Sequence, residues 1–446
     1  MATSSESLTV GILQPRKRIE GAPLARNVVF SVVDYLTQPL LMLLTARYFV
    51  RALGLPLFGI WILVLAIIGS SGSICTGFGD AALKYVAAMR GRMDDDGVSR
   101  VIGLSAMLNL SMGIALALAF YALAPWSATH MFHLSGQLAT EFVTALRIGG
   151  GVLAVRSLSF VFIGAFRAFE LYERATQVVV STRLATALAA LVLVWKGFGV
   201  VAILWITLIC EFGALLTLVH RGAGVWREVR VPRLKEDDWR SLTSFGFFGW
   251  VQALSGTLFS QADRLVVAAL LGPSALTYYG VCVQCTQPIH GLTAAGCNVL
   301  FPHLSTKVET AGTSYLRKFL ARAFRLNLLT VLGLAIVPLL LSRPLLTLWM
   351  GKSFSDHAAV TLSLVAASFA LLALNVPGHY ALMALGEVRY LTILNVAGCV
   401  LSLLLAWFFI PKIGIAGAAA ARLAYGPLTW LLYARLQRLT SREEAR

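Results

Sequence analysis

Two short stretches decide the fold: ALLGPSALTYYGV, residues 269–281, and RALGLPLFGIW, residues 51–61. Each joins two apolar runs through a Leu-Gly break, and each resumes with an aromatic residue followed by glycine. A Leu-Gly break at the end of an apolar run marks a turn between helices, since glycine adopts backbone conformations that other residues avoid. A second pair agrees with the first. WKGFGVVAI (195–203) precedes the sixth apolar run and PKIGIAGAA (411–419) precedes the twelfth. Two matches at corresponding places predict two copies of a six-helix unit. An even number of crossings per copy keeps both in the same orientation, so the pseudo-twofold axis runs along the membrane normal. The space between two such lobes is the natural transport site.

The rest of the chain fits that frame. Of 446 residues 58% are hydrophobic and 13% charged, and the mean hydropathy is +0.77; soluble domains carry about 25% charged residues. Hydropathy and turn signals predict an all-α integral membrane protein with about twelve transmembrane helices, each long enough to cross a core of about 30 Å at about 1.5 Å per residue. The first six spans are 27–50, 57–78, 101–123, 143–165, 175–195 and 199–219. The second six are 246–270, 275–299, 326–342, 359–383, 390–410 and 414–434. The expected organisation is a cytoplasmic tail (1–26), an N-lobe (27–219), a cytoplasmic linker (220–245), a C-lobe (246–434) and a second cytoplasmic tail (435–446).

The net charge of +16 would suggest nucleic-acid binding in a soluble protein. Here its distribution sets the topology instead. With the N-terminus inside, tails and cytoplasmic loops hold 26 Lys/Arg, against five outside (Arg51, Lys196, Arg343, Lys352, Lys412). By the positive-inside rule both termini are cytoplasmic. The first 26 residues are polar and carry Arg16-Lys17-Arg18, so no cleaved signal peptide is read and the first helix serves as its own signal. All six cysteines fall in apolar segments, and the lone Cys282-x-x-Cys285 has no second pair to complete a ligand set, so packing is expected rather than disulfides or metal.

The pattern R-x-L-G-x-x-x-F-G after the first helix, the Asp in a seventh helix followed by LLGPSALTYYG, and FPHLS (301–305) together resemble the polysaccharide biosynthesis (O-antigen type) flippases. These belong to the multidrug/oligosaccharidyl-lipid/polysaccharide exporter superfamily, which also holds lipid II flippases and multidrug and toxin extrusion transporters. The lipid II flippases typically carry two further C-terminal helices that have no counterpart among these twelve spans. The resemblance implies a polyprenyl-pyrophosphate-linked oligosaccharide as cargo, moved from the cytoplasmic to the outer leaflet of a bacterial inner membrane for surface polysaccharide synthesis. Membrane lipids surround such a protein, and a polysaccharide polymerase or glycosyltransferases are conceivable partners. No nucleic acid and no cofactor is expected.

Charge within a bilayer costs about 2.5–3.5 kcal/mol per residue at mid-helix on insertion scales, so the charges present are informative. Arg156, Arg183 and Arg422 fall near span centres, and Arg147 and Arg264 towards the outer third. Asp34, Glu211 and Asp263 are the acids. Arginine suits a phosphate because its planar fork donates two hydrogen bonds at once and keeps its proton. Arg147, Arg156, Arg183 and Arg264 are therefore candidate substrate-binding residues, and Asp34, Asp263 and Glu211 candidate coupling or gating residues. The competing reading is that arginines pair with these acids and lock helices together. Arg422, within AGAAAARLAYG, sits in a small-residue setting that favours close packing.

Phase limits the argument. Arg147 and Arg156, nine residues apart, fall on opposite faces of an ideal helix. The triple glycine between them, Gly149 to Gly151, either bends the helix or lets a neighbour approach. Adjacent Asp263 and Arg264 point about 100° apart and cannot share one target. Pro288 could kink the eighth span near His290; that histidine, like His379, reads as a packed interior residue. MDDDG (93–97) matches a D-x-D pattern, but without a nucleotide-binding domain it reads as a helix N-cap or solvated loop. No P-loop is present, so ATP hydrolysis by the chain itself is not expected. A cation extruder of the same fold is one alternative, disfavoured by five deep arginines against three acids. A membrane polymerase or ligase is another; the outer connections 124–142 and 343–358 gather no acid, base or nucleophile set for it.

Overall fold

The computed structural model describes residues 24–91, 93–223, 225, 236–297 and 300–444. Residues 1–23 of the N-terminal tail, residues 224 and 226–235 of the connection between the halves, and residues 445–446 lie outside them. No strand occurs among the described residues.

The helical stretch Leu24–Gly91 leaves helical dihedrals at Gly54 (φ 77°, ψ 165°), dividing it into α1 (24–53) and α2 (55–91). Phe49 and Trp61 meet across this break, their ring centroids 5.3 Å apart, so the arms fold against each other. The N-lobe continues with α3 (Asp95–Trp126), α4 (Gly136–Ala168), α5 (Tyr172–Trp195) and α6 (Val200–Ala223). The C-lobe repeats the plan. Glu236–Cys297 breaks at Gly272 (φ 81°, ψ 177°) into α7 (236–271) and α8 (273–297). Then follow α9 (Leu300–Leu340), a short helix (Ser342–Trp349), α10 (Lys352–Leu374 extended by Val376–Ala384), α11 (Val388–Ile413) and α12, made of Ile415–Leu423, Tyr425–Thr429 and Leu431–Glu444.

Nine apolar stretches among the described residues are long enough to cross a membrane. Two run through the Gly54 and Gly272 breaks and supply two crossings each, and segmented α12 supplies the twelfth. The fold is thus all-α, with two six-helix lobes related by an axis along the membrane normal. Both quoted turns use a positive-φ glycine at the same place in each copy, a backbone state that costs a residue with a Cβ dearly. Gly197 and Gly414, at the second pair of matched turns, also have positive φ.

Several helices outrun the spans drawn from hydropathy. Helix α9 has 41 residues, about 60 Å at 1.5 Å per residue, twice the hydrocarbon thickness. Hydropathy detects only the apolar part, whereas backbone hydrogen bonding continues into water. Helix α7 likewise begins at Glu236, within the polar connection. MDDDG is a helix cap: the Gly97 N–H donates to Asp94 Oδ1 at 2.7 Å at the start of α3.

The lobes meet along α1–α2 and α7–α8. Near the two glycine turns, Gly59 of α2 packs so closely on the Pro273 carbonyl that a Cβ would collide with it, and a Cβ on Gly280 would fall 2.8 Å from Ile62 Cδ1. Thr277 Oγ1 donates to the Leu55 carbonyl at 2.7 Å across the same seam. At the other end of the seam the Tyr35 hydroxyl sits on Gly291, which again leaves no room for a side chain. Outward, exposed Leu44, Leu118, Leu188, Ile209, Leu329 and Leu404 form the apolar exterior that a bilayer requires.

Candidate functional site

Helix α4 passes through its three glycines without a break, and each serves a different neighbour. A Cβ on Gly149 would fall 2.8 Å from Ile68 of α2, one on Gly150 would fall 3.0 Å from the Ala117 Cα of α3, and one on Gly151 would clear Leu208 of α6 by 3.5 Å. The glycines therefore admit close helix packing, and α4 keeps its ideal phase. Arg147 and Arg156 accordingly diverge. Arg147 turns to α3, stacking over the exposed Tyr121 ring at 4.3 Å and donating to its carbonyl at 3.4 Å. Arg156 turns to α6, where its Nε donates to Glu211 Oε1 at 3.1 Å and Nη2 joins the same oxygen.

One residue of this face was missed in the sequence. Arg167 lies eleven residues beyond Arg156, close to three helical turns and so on the same side of α4, about 16 Å further along the axis. Its Nη2 donates to Asp34 Oδ2 at 3.3 Å. Arg183 of α5 takes the other oxygen, with Nη1 donating to Asp34 Oδ1 at 2.8 Å and also to the Asp34 carbonyl. The signal existed in the spacing, but the fourth span was ended at residue 165, which left Arg167 in a loop.

Asp34, Arg167, Arg183, Arg156 and Glu211 form one connected cluster, since Arg183 is within Coulombic range of Arg156 and Glu211 as well. It contains three guanidiniums and two carboxylates, an excess of one positive charge. The three arginine side chains remain 35%, 39% and 31% exposed for Arg156, Arg167 and Arg183. A guanidinium has five N–H donors, so each retains some for a further partner. Asp34 is followed by Tyr35, which packs on α8 of the opposite lobe, so the cluster lies beside the seam.

The C-lobe charges are arranged differently. Asp263 of α7 accepts from Arg422 of α12, from the Tyr279 hydroxyl of α8 and from the backbone N–H of Arg264 at 2.8 Å. Arg422 also lies over the Phe369 ring of α10 at 4.6 Å. The Asp263 and Arg422 side chains are only 7% and 2% exposed. Arg264 diverges from its neighbour, its Nη1 donating to Gln261 at 2.8 Å, and Gln261 lies 3.7 Å from the place of a Cβ on Gly69 of α2. All three acids singled out in the sequence are thus held by arginines, but one assembly is open and the other sealed. The small residues around Arg422 are mostly buried, with Gly417 close on Phe409 of α11 and Gly426 on Leu371 of α10.

Pro288 lies within α8, whose parent stretch leaves helical dihedrals only at Gly272. Cys282 Sγ rests 3.5 Å from the Ala358 carbonyl, a packing contact between α8 and α10. No group of three or more metal-ligating side chains occurs among the described residues.

The fold and sequence have relatives. The chain superposes on an inward-facing multidrug resistance MATE family transporter of the MOP superfamily with a TM-score of 0.79 at 15% identity, over 93% of this chain and 99% of the other. A MOP superfamily transporter of Pyrococcus furiosus gives a TM-score of 0.68 at 15% identity, over 93% and 95%. In sequence, a Shigella flexneri protein named as an O-antigen transporter is 25% identical over 177 residues, 39% of this chain and 42% of that protein. The membrane protein EpsK of Bacillus subtilis (strain 168) is 24% identical over 344 residues, 74% of this chain and 66% of its own length. The matches therefore span less than two thirds of either relative. The family of polysaccharide biosynthesis proteins matches residues 58–359, from the start of α2 into α10, and with more than half of its length so matched the chain belongs to that family.

Proposed function

We propose that the protein is a flippase that carries a polyprenyl-pyrophosphate-linked oligosaccharide from the cytoplasmic to the outer leaflet of a bacterial inner membrane, for surface polysaccharide synthesis. The observation that carries this reading is the open arginine cluster of the N-lobe. Arg156 and Arg167 share a face of α4, about 16 Å apart along its axis, and Arg183 joins them from α5, so three guanidinium forks lie beside the lobe seam. The excess positive charge has the sign that a pyrophosphate requires, and bidentate guanidinium–phosphate bonding supplies both strength and orientation. Asp34 and Glu211 hold the arginines in place before cargo arrives, which lowers the ordering cost of binding. The sugars would fill the space between lobes while the polyprenyl chain stays in lipid, and rocking of the lobes would give alternating access. Both termini face the cytoplasm in this reading, where glycosyltransferases assemble the cargo; a polymerase would receive it outside.

A second reading is favoured by the shared fold, a MATE-type extruder of organic cations. Asp34 and Glu211, the acids that a cation would need, are engaged by arginine. The discriminating experiment reconstitutes the protein in liposomes with a fluorescent lipid-linked oligosaccharide and, separately, with a cationic dye. Protein-dependent exposure of the sugar lipid without dye uptake supports the flippase. Dye transport without lipid movement, or no lipid movement under any ion gradient, refutes it.

A further inference from the structure

The C-lobe carries a second charged site close to the Gly272 turn, where Tyr278 of α8 packs on Phe354 and His357 of α10, ring centroids 4.7 and 5.2 Å away. Helix α9 returns the chain to the membrane face of the Gly54 and Gly272 turns, with Ile336, Val337, Leu340 and Leu341 exposed. The short helix Ser342–Trp349 then lies between α9 and α10. The short helix and the start of α10 border an open recess of about 640 Å³ lined by Arg343, Pro344, Thr347, Leu348, Lys352 and Asp356. Two of the five basic residues assigned to the outer connections thus line one recess. Its walls are tied together: Arg343 Nη2 donates to Asp356 Oδ1 at 2.9 Å, and Ser355 Oγ donates to the Arg343 carbonyl at 3.0 Å. Leu348, 83% exposed, stands at the rim beside the lipid-facing end of α9. The recess therefore offers two cations against one acid next to an exposed apolar surface.

We propose that this recess binds the phosphate headgroup of an anionic phospholipid of the outer leaflet, Arg343 and Lys352 holding the phosphate while an acyl chain lies along Leu348 and Leu340. An amphiphile is favoured over a free anion because Pro344 and Leu348 line the recess beside the charges and the exposed Leu340 and Leu341 directly precede it in the chain. The site shares no residue with the N-lobe arginine cluster, and its place in the outer leaflet rests on the cytoplasmic position of both termini.

The test uses the purified full chain in phosphatidylcholine vesicles containing a photoactivatable phosphatidylglycerol, with the labelled peptides mapped by mass spectrometry. Labelling of the segment 342–356 is expected, competed by unlabelled phosphatidylglycerol but not by inorganic phosphate. Arg343→Ala and Lys352→Ala should each weaken competition about fivefold. Asp356→Asn should strengthen it, which mere loss of a structural ion pair would not do. Labelling unchanged in the Arg343→Ala/Lys352→Ala double variant overturns the proposal, as does displacement by inorganic phosphate alone. Preferential displacement by a polyprenyl pyrophosphate overturns it too, since the recess would then belong to the cargo.

Discussion

Replacing Arg422 by alanine separates architecture from function among the intramembrane charges. Among the described residues, the change leaves Asp263, 7% exposed at its side chain, with the Tyr279 hydroxyl and one backbone N–H. Removing one member of a buried ion pair costs about 3–5 kcal/mol. The attraction of two unit charges about 4 Å apart at an effective dielectric of ~20, about 4 kcal/mol, agrees with that range. For a cooperative unit the size of one lobe, each kcal/mol lowers Tm by about 2–4 °C, which gives a fall of roughly 6–20 °C. Arg156→Ala breaks a pair whose arginine is 35% exposed and leaves Glu211, 16% exposed, within Coulombic range of Arg183. Solvent screening reduces that cost to about 0.2–1 kcal/mol, at most about 4 °C. Replacing the whole C-lobe assembly with apolar residues, Asp263→Leu with Tyr279→Phe and Arg422→Met, should restore part of the loss, because the Asp263–Arg422 pair and its hydroxyl are removed as a unit while the buried Arg264 loses the carboxylate beside it. The assay is fluorescence-monitored thermal unfolding of detergent-purified protein. Equal Tm values for Arg422→Ala and Arg156→Ala would refute the division into a sealed and an open cluster.

Two further predictions follow from α4. Gly150→Val should lower Tm or membrane abundance, because even its Cβ would press on the Ala117 backbone at 3.0 Å, whereas Gly151→Ala should be tolerated with Leu208 at 3.5 Å; overpacking of this kind costs about 1–3 kcal/mol. Arg147→Ala should preserve surface polysaccharide in a flippase-deficient host at normal abundance, since Arg147 stacks on Tyr121 away from the Arg156 face, and loss of polysaccharide would return it to the cargo path.

The repeat was legible because turns leave local marks: Gly54 and Gly272 need positive φ, and few other residues supply it. Helix number followed from hydropathy for the same local reason. The divergence of Arg147 from Arg156 and of Asp263 from Arg264 followed from helical phase alone. Partner choice did not, because it depends on which helices are neighbours. Nothing in the sequence placed Arg422 on α12 beside Asp263 on α7, 159 positions earlier. Nor could the sequence decide whether the triple glycine bends α4 or admits neighbours, since both uses require the same residue. Arg167 was lost to a span boundary drawn by apolarity, although its eleven-residue spacing from Arg156 marked the shared face.

The central claim is that the open N-lobe arginines bind the anionic end of a lipid-linked cargo. The most direct test replaces Arg156 and Arg183 singly with alanine and with lysine, verifies membrane abundance and Tm, and measures surface polysaccharide in a flippase-deficient host. The account predicts loss of polysaccharide in both alanine variants at normal abundance, with partial rescue by lysine, which keeps the charge but not the fork. Full polysaccharide in all four variants would contradict it and leave these arginines as helix-pairing residues only.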